Sequence, residues 1–353
     1  MSRKIAERAL LRMLTEEGNA GFSALLGLDA ASMAGLYVSN AFLRTALGFL
    51  GEQFWLRSQK VGAFTYPDFL SPFLAAELEP IAFLKELFTP ETVPRAKALT
   101  AKATALESLL LESMIERPYA EQKEFARAAL GQMATLFAFE TSLQASNADR
   151  GTHLGLSLYR TFDGLDQLFG LNYALDKNVK QELHETERLY EGAGVGVQSG
   201  CSTVLTALRH LELKPGARFI DLGSGYGRVG LLVGLLHPEV LFTGYEFVKE
   251  RVGLGNQAAE NLGMLSHVRF LTQDLSSADF QIPEAEVYYL YDPFSESTYA
   301  HVLAQLCAIA RRKKITIVTK GNASRWLTRM AEAEGWPAAR EFDSGNLRFY
   351  GTR

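Results

Sequence analysis

The residues best suited to chemistry lie in the run Asp221-Leu222-Gly223-Ser224-Gly225-Tyr226-Gly227-Arg228, where an apolar stretch gives way to a helical one. Glycines permit a tight turn and a close approach of ligand to backbone, and a helix that follows begins with unsatisfied N–H groups. Glu246 closes the next apolar run, 21 residues after Gly225, suitably placed to accept hydrogen bonds from two ribose hydroxyls. The glycine spacing separates two ligand classes. A dinucleotide fingerprint would put its third glycine at position 228, which is Arg228 here, and a carboxylate at Asp221 would repel a pyrophosphate. The same carboxylate would hold a cationic amino group, so the turn predicts an adenosine bearing an amino acid and disfavours a nicotinamide-dependent oxidoreductase.

These residues need a scaffold that brings strand ends together. From residue 199 onward the sequence alternates apolar runs with helical periodicity: RFIDLGSG, LFTGYEFV, VRFLTQDL, VYYLYDPF and KITIVTKG, each followed by a helix or a turn. That alternation predicts a doubly wound parallel sheet with helices on both faces. Two last runs, Ala338–Phe342 and Leu347–Thr352, flank Asp343-Ser344-Gly345-Asn346 and read as a C-terminal antiparallel hairpin, which makes seven strands. Residues 1–185 are helical throughout. Leu99, Ala103, Leu106, Leu110 and Met114 form one apolar stripe, Phe125, Ala129, Met133 and Phe137 a second, and prolines 67, 72, 80, 90, 94 and 118 mark helix starts. The chain thus divides into an all-α N-terminal domain, 1–185, and an α/β domain, 186–353. Between them stand Tyr190, Glu191 and glycines 192, 194, 196 and 200, either a linker or a loop that covers a ligand.

The turn DLGSGYG, the acidic end of the second strand at Glu246, the pair Gln273-Asp274 after the third and the hairpin ending together resemble the class I, seven-strand S-adenosylmethionine-dependent methyltransferases over about residues 186–353. The resemblance implies a Rossmann-like fold and S-adenosylmethionine as cofactor. It implies that Asp221 and the loop Gly223, Ser224, Gly225 and Gly227 hold the methionine part, Glu246 the ribose, and Asp274 the adenine amino group with Leu275 beside the ring, with Phe247 also among the cofactor-binding residues. Among these enzymes the chain is loosely similar to the non-SET protein-lysine methyltransferases, which place a Tyr-containing loop ahead of the domain, so that Tyr190 and Glu191 would cover the cofactor. Tyr291-Asp292-Pro293-Phe294 partly resembles the D/N-P-P-Y/F acceptor motif, with Phe294 where the second proline would stand. An amine must lose a proton to attack a methyl carbon, and the Asp292 carboxylate or Tyr291 hydroxyl could orient it as the catalytic pair; the alternative is a strand end whose aromatics only pack.

The implied function is direct methyl transfer to an amine, a protein lysine first and a small-molecule amine as the alternative. A non-catalytic cofactor-binding protein acting through its helical half is the reading from a different class. The helical domain would choose the acceptor or make a homodimer. Composition bounds the partners. A net charge of -4 from 36 basic and 40 acidic residues argues against affinity built on nucleic-acid phosphates, and no uncharged apolar stretch is long enough to span a bilayer. Two cysteines cannot make a disulfide framework, which fits a cytoplasmic chain. No metal site is expected, because His184-Glu185 lacks the second histidine of a zinc-binding helix and the six histidines do not cluster.

Overall fold

The computed structural model describes residues 3–15, 27–62, 64–75, 86–87, 95–147, 158, 161–177, 198–291, 294–321 and 323–352. They fall into two compact units, Met1–Leu168 with Gly200–Ser202, and Phe169–Ser199 with Thr203–Arg353.

The first unit is helical. Its elements are α1 (Arg3–Thr15), α2 (Ala30–Val61), α3 (Tyr66–Ala75), α4 (Ala96–Ile115), α5 (Tyr119–Asn147) and the single turn α6 (Leu165–Leu168). Asp29 caps α2 by accepting the N–H of Ser32 at 2.6 Å, and Gly62 ends it at φ 78. The stripes read from the sequence are buried: Leu99, Ala103, Leu110 and Met114 on α4 and Phe125, Ala129 and Met133 on α5. Pro72 departs from the expectation that the prolines mark helix starts, for it lies inside α3. Phe69 and Phe73, both buried on α3, pack with ring centroids 4.7 Å apart, and that burial outweighs one lost backbone bond near the end of a short helix. Some polar groups inside this unit find partners. Asn40 donates to the Ala103 carbonyl at 2.7 Å, and the Arg44 guanidinium meets the Glu107 carboxylate at 2.9 Å.

The second unit is the α/β sheet. After a 3-10 turn at Tyr173–Lys177 come α7 (Cys201–His210), β1 (Arg218–Leu222), α8 (Arg228–Leu236), β2 (Leu241–Glu246), α9 (Lys249–Asn261), β3 (Val268–Thr272), β4 (Val287–Tyr291), α10 (Glu296–Ala310), β5 (Thr316–Lys320), α11 (Ala323–Ala333), β6 (Arg340–Phe342) and β7 (Leu347–Gly351). The sheet order is β3-β2-β1-β4-β5-β7-β6. Strands β1 to β5 pair in parallel, while β7 runs antiparallel to both β5 and β6. Connections leave β1 in opposite directions, to β2 on one side and later to β4 on the other, so the crevice at the carboxyl ends of β1 and β4 is the switch point where such sheets bind ligands.

Strand alternation sorts the side chains. Ile220, Leu222, Tyr288, Leu290 and Ile317 join Tyr299, Val302 and Leu306 of α10 and Leu327 of α11 in one apolar core. The opposite face carries the intervening residues. There the register sets Asp221 beside Tyr289 and Gly244, and Tyr291 beside Lys320.

Candidate functional site

The turn after β1 is built from left-handed glycines. Gly223, Gly225 and Gly227 have φ of 91, 54 and 90, and Gly227 is also pressed against β3, because a Cβ there would lie 2.6 Å from Phe270 Cζ. The loop's amides face inward. Those of Gly223 and Ser224 both donate to the Tyr245 carbonyl at 2.9 Å, that of Gly227 to the Ser224 carbonyl at 2.9 Å, and that of Gly225 to Glu246 Oε2 at 2.9 Å. These four loop N–H groups are used internally, so the loop itself does not present them to a phosphate.

Glu246 is buried at the end of β2. Its Oε2 takes the Gly225 amide, and its Oε1 accepts from the Val248 N–H at 3.1 Å and lies 3.5 Å from Arg251 Nη1. Asp221 is 2 % exposed, and among the described residues no group donates a hydrogen bond to its carboxylate. Burial, followed by the negative charge of Glu246, holds the Asp221 carboxyl well above the ordinary carboxylate range. Ser224 Oγ is buried nearby without a partner among the described residues. Two buried carboxylates and an unsatisfied hydroxyl around one turn suit a ligand that brings a cation and hydroxyl groups. An adenosine bearing an amino acid has both, so these residues fit that class.

The remaining sequence candidates are placed as follows. Asp274 follows β3, and its Oδ1 accepts from the N–H and hydroxyl of Ser276 at 2.8 and 2.6 Å. Leu275 is buried in the apolar core with Tyr245, and Phe247 is half-buried beyond the end of β2. Tyr291 ends β4 half-buried. Asp292, Tyr190 and Glu191 lie outside the described residues, as do the glycines between 192 and 196.

The structure adds contacts that motif reading does not show. Arg228, the first residue of α8 and 1 % exposed, donates from Nη1 to the Ser199 carbonyl at 3.0 Å and from Nη2 to the Tyr173 hydroxyl at 3.2 Å. The Tyr173 ring meets Tyr226 edge-on at 4.7 Å, and the Gln198 amide lies so close to Gly225 that a Cβ there would sit 2.9 Å from Nε2. Thus the chain on both sides of residues 178–197 is fastened to the glycine turn. On the same sheet face the Ser199 and Tyr289 hydroxyls share a hydrogen bond of 2.7 Å. Lys320 ends β5 at 2 % exposure, with Nζ donating to Thr203 Oγ1 at 3.0 Å and lying 4.9 Å from the centroid of the Tyr291 ring. The one signal for Lys320 in the sequence is a cation terminating the otherwise apolar run KITIVTKG.

Among the described residues no group of three or more His, Cys, Asp or Glu could hold a metal ion, and no helix is long and apolar enough to cross a membrane. No family model matches the chain, and no curated protein does. Solved structures are similar to part of it. TrmN from Thermus thermophilus is 22% identical over 42% of this chain and 47% of its own, with a TM-score of 0.34, so this chain spans about half of that relative. The precorrin-6y C5,15-methyltransferase of Geobacter metallireducens is 15% identical over 44% of this chain and 89% of its own, TM-score 0.34. The magnesium protoporphyrin IX methyltransferase of Synechocystis PCC 6803, solved with bound SAM, is 18% identical over 43% and 76%, TM-score 0.31. The strand order and the reversed β7, read from this chain itself, give its second unit the Rossmann-like seven-strand fold of the class I methyltransferase type, with a helical region ahead of it.

Proposed function

We propose that this chain is an S-adenosylmethionine-dependent methyltransferase that passes the methyl group directly to an amine nitrogen, in the first place of a protein lysine. The observation that carries the reading is the pair of buried carboxylates, Asp221 and Glu246, around a glycine turn whose amides are already used. Such a site attracts a cationic amino acid joined to a ribose and repels a phosphate. Asp221 and the loop hold the amino-acid part, Glu246 the ribose hydroxyls, and Asp274 the adenine amino group. The bound cofactor supplies an electrophilic methyl on a sulfonium. The protein's own work is then alignment and exclusion of water. Tyr291 and Asp292 orient the acceptor at the carboxyl edge of β4, and the helical unit selects the acceptor or pairs two copies of the chain. A chain with only two cysteines suits the cytoplasm.

The test is transfer of labelled methyl from S-adenosylmethionine to two fractions of a cell extract, denatured protein and small molecules, followed by acid hydrolysis of the protein. Label in methyl-lysine, lost with Asp292→Ala or Tyr291→Phe, is expected. Label in the small-molecule fraction alone would move the acceptor to a metabolite, and cofactor binding without transfer to either fraction would favour the binding-protein reading.

A further inference from the structure

Resting on the methyl-transfer reading, we propose that the side-chain amide of Gln198 binds the α-carboxylate of the cofactor's amino-acid part, while Asp221 takes its ammonium. Three observations carry the proposal. The amide lies on the glycine turn itself: a Cβ at Gly225 would meet Gln198 Nε2 at 2.9 Å, Oε1 at 3.1 Å and Cδ at 3.5 Å, so the whole amide group covers the middle glycine of the turn. The side chain is 9 % exposed, and among the described residues none shares a hydrogen bond with its amide. The backbone beside it is held in place. The Ser199 hydroxyl shares a hydrogen bond of 2.7 Å with Tyr289, and the Ser199 carbonyl accepts from Arg228 Nη1 at 3.0 Å.

A buried primary amide offers N–H donors and a carbonyl acceptor, and leaving them unmade costs free energy that a bound ligand restores. The chemistry of the turn selects which ligand group that is. Asp221 and Glu246 are buried carboxylates, which suit the cofactor's ammonium and ribose hydroxyls and repel its carboxylate. The amides of Gly223, Ser224, Gly225 and Gly227 are used on carbonyls of Tyr245 and Ser224 and on Glu246. The Arg228 guanidinium is turned to the Ser199 carbonyl and the Tyr173 hydroxyl. An α-carboxylate entering beside Gly225 therefore meets its donors on Gln198. A neutral donor also suits this position better than a cation. An arginine or lysine over Gly225 would pair with Asp221 and Glu246 and compete with the ammonium for them, whereas an amide binds an anion and leaves both carboxylates their charge. Gln198 reads one end of the zwitterion and Asp221 the other, so the site separates an adenosine bearing a complete amino acid from one bearing only an amine.

The test removes the same contact from the ligand and from the protein, with binding as its readout. Calorimetric titration compares S-adenosylhomocysteine with its decarboxylated analogue, S-adenosyl-3-thiopropylamine, on wild type, Gln198→Met and Gln198→Glu. Wild type is expected to prefer S-adenosylhomocysteine by about tenfold or more, the order of a hydrogen bond to a charged group. In Gln198→Met, of similar length but without donors, affinity for the decarboxylated analogue should stay within about twofold of wild type, and the preference should shrink to about twofold. Gln198→Glu sets a like charge against the ligand carboxylate and should invert the preference. Wild type without a preference, or Gln198→Met keeping the wild-type preference, overturns the proposal and leaves the methyltransferase reading standing. If Gln198→Met binds neither ligand, Gln198→Glu decides: an inverted preference supports the role and a retained one overturns it. Loss of both ligands by both variants also overturns it, because the side chain would then support the whole site and not one carboxylate. Failure of the wild type to bind either nucleoside rejects the methyltransferase reading instead.

Discussion

Glu246, the last residue of β2, turns its carboxylate back onto the turn after β1 and accepts the Gly225 N–H through Oε2 at 2.9 Å. One side chain therefore fixes the shape of the glycine turn and supplies its second negative charge. Glu246→Ala is expected to lower affinity for S-adenosylhomocysteine at least tenfold in calorimetric titration, and to cost about 1–3 kcal/mol of stability because the Gly225 amide loses its partner.

Asp221 makes stability depend on pH in an unusual direction. Its carboxyl is held above the ordinary range in the folded protein, so the folded state keeps a proton that the unfolded chain gives up near 3.8. The stabilising contribution is complete below the unfolded value and is lost as pH rises through the folded one. Urea melts from pH 4 upward should show ligand-free wild type weakening relative to Asp221→Asn, and a parallel pair of curves would contradict this. The same substitution should weaken S-adenosylmethionine binding, since a cation loses its counter-charge.

Gly227 combines a φ of 90 with a Cβ position 2.6 Å from the Phe270 ring. Gly227→Ala is expected to destabilise the protein by about 2–4 kcal/mol, from left-handed strain plus overpacking, read as a lower urea midpoint. Gly253, on the same sheet's helix α9, has open space at its Cβ position, so Gly253→Ala should be neutral or slightly stabilising.

Arg228 holds two separate partners with one planar fork, the Ser199 carbonyl and the Tyr173 hydroxyl. Lysine has a single nitrogen and cannot span both. Arg228→Lys should therefore speed proteolytic cleavage before residue 200 while leaving protection of β1 and β4 amides unchanged in hydrogen exchange.

Much of this architecture is legible in the sequence because it is local. The glycine turn, Glu246 at the end of β2 and the hairpin around Asp343–Gly345 follow from residue types at fixed spacing within one or two elements. The seven strands arise from apolar runs between turn signals. What the sequence hides is the juxtaposition of distant residues. Nothing in KITIVTKG says that its terminal lysine will meet Thr203, 117 positions earlier, and the Tyr291 ring; only the β4–β5 register and the α7 packing decide that. The Arg228 fork is hidden for the same reason, as is the inward turn of the loop amides, which depends on where the Tyr245 carbonyl of the neighbouring strand points. Pro72 shows the opposite limit, a local breaker overruled by the burial of Phe69 and Phe73.

The central claim is the ligand class of the Asp221–Glu246 site, and calorimetric titration with S-adenosylmethionine, S-adenosylhomocysteine and NADH tests it most directly. The account predicts binding of both sulfur nucleosides, weakened at least tenfold by Glu246→Ala, and no binding of NADH. NADH binding without either sulfur nucleoside would contradict it.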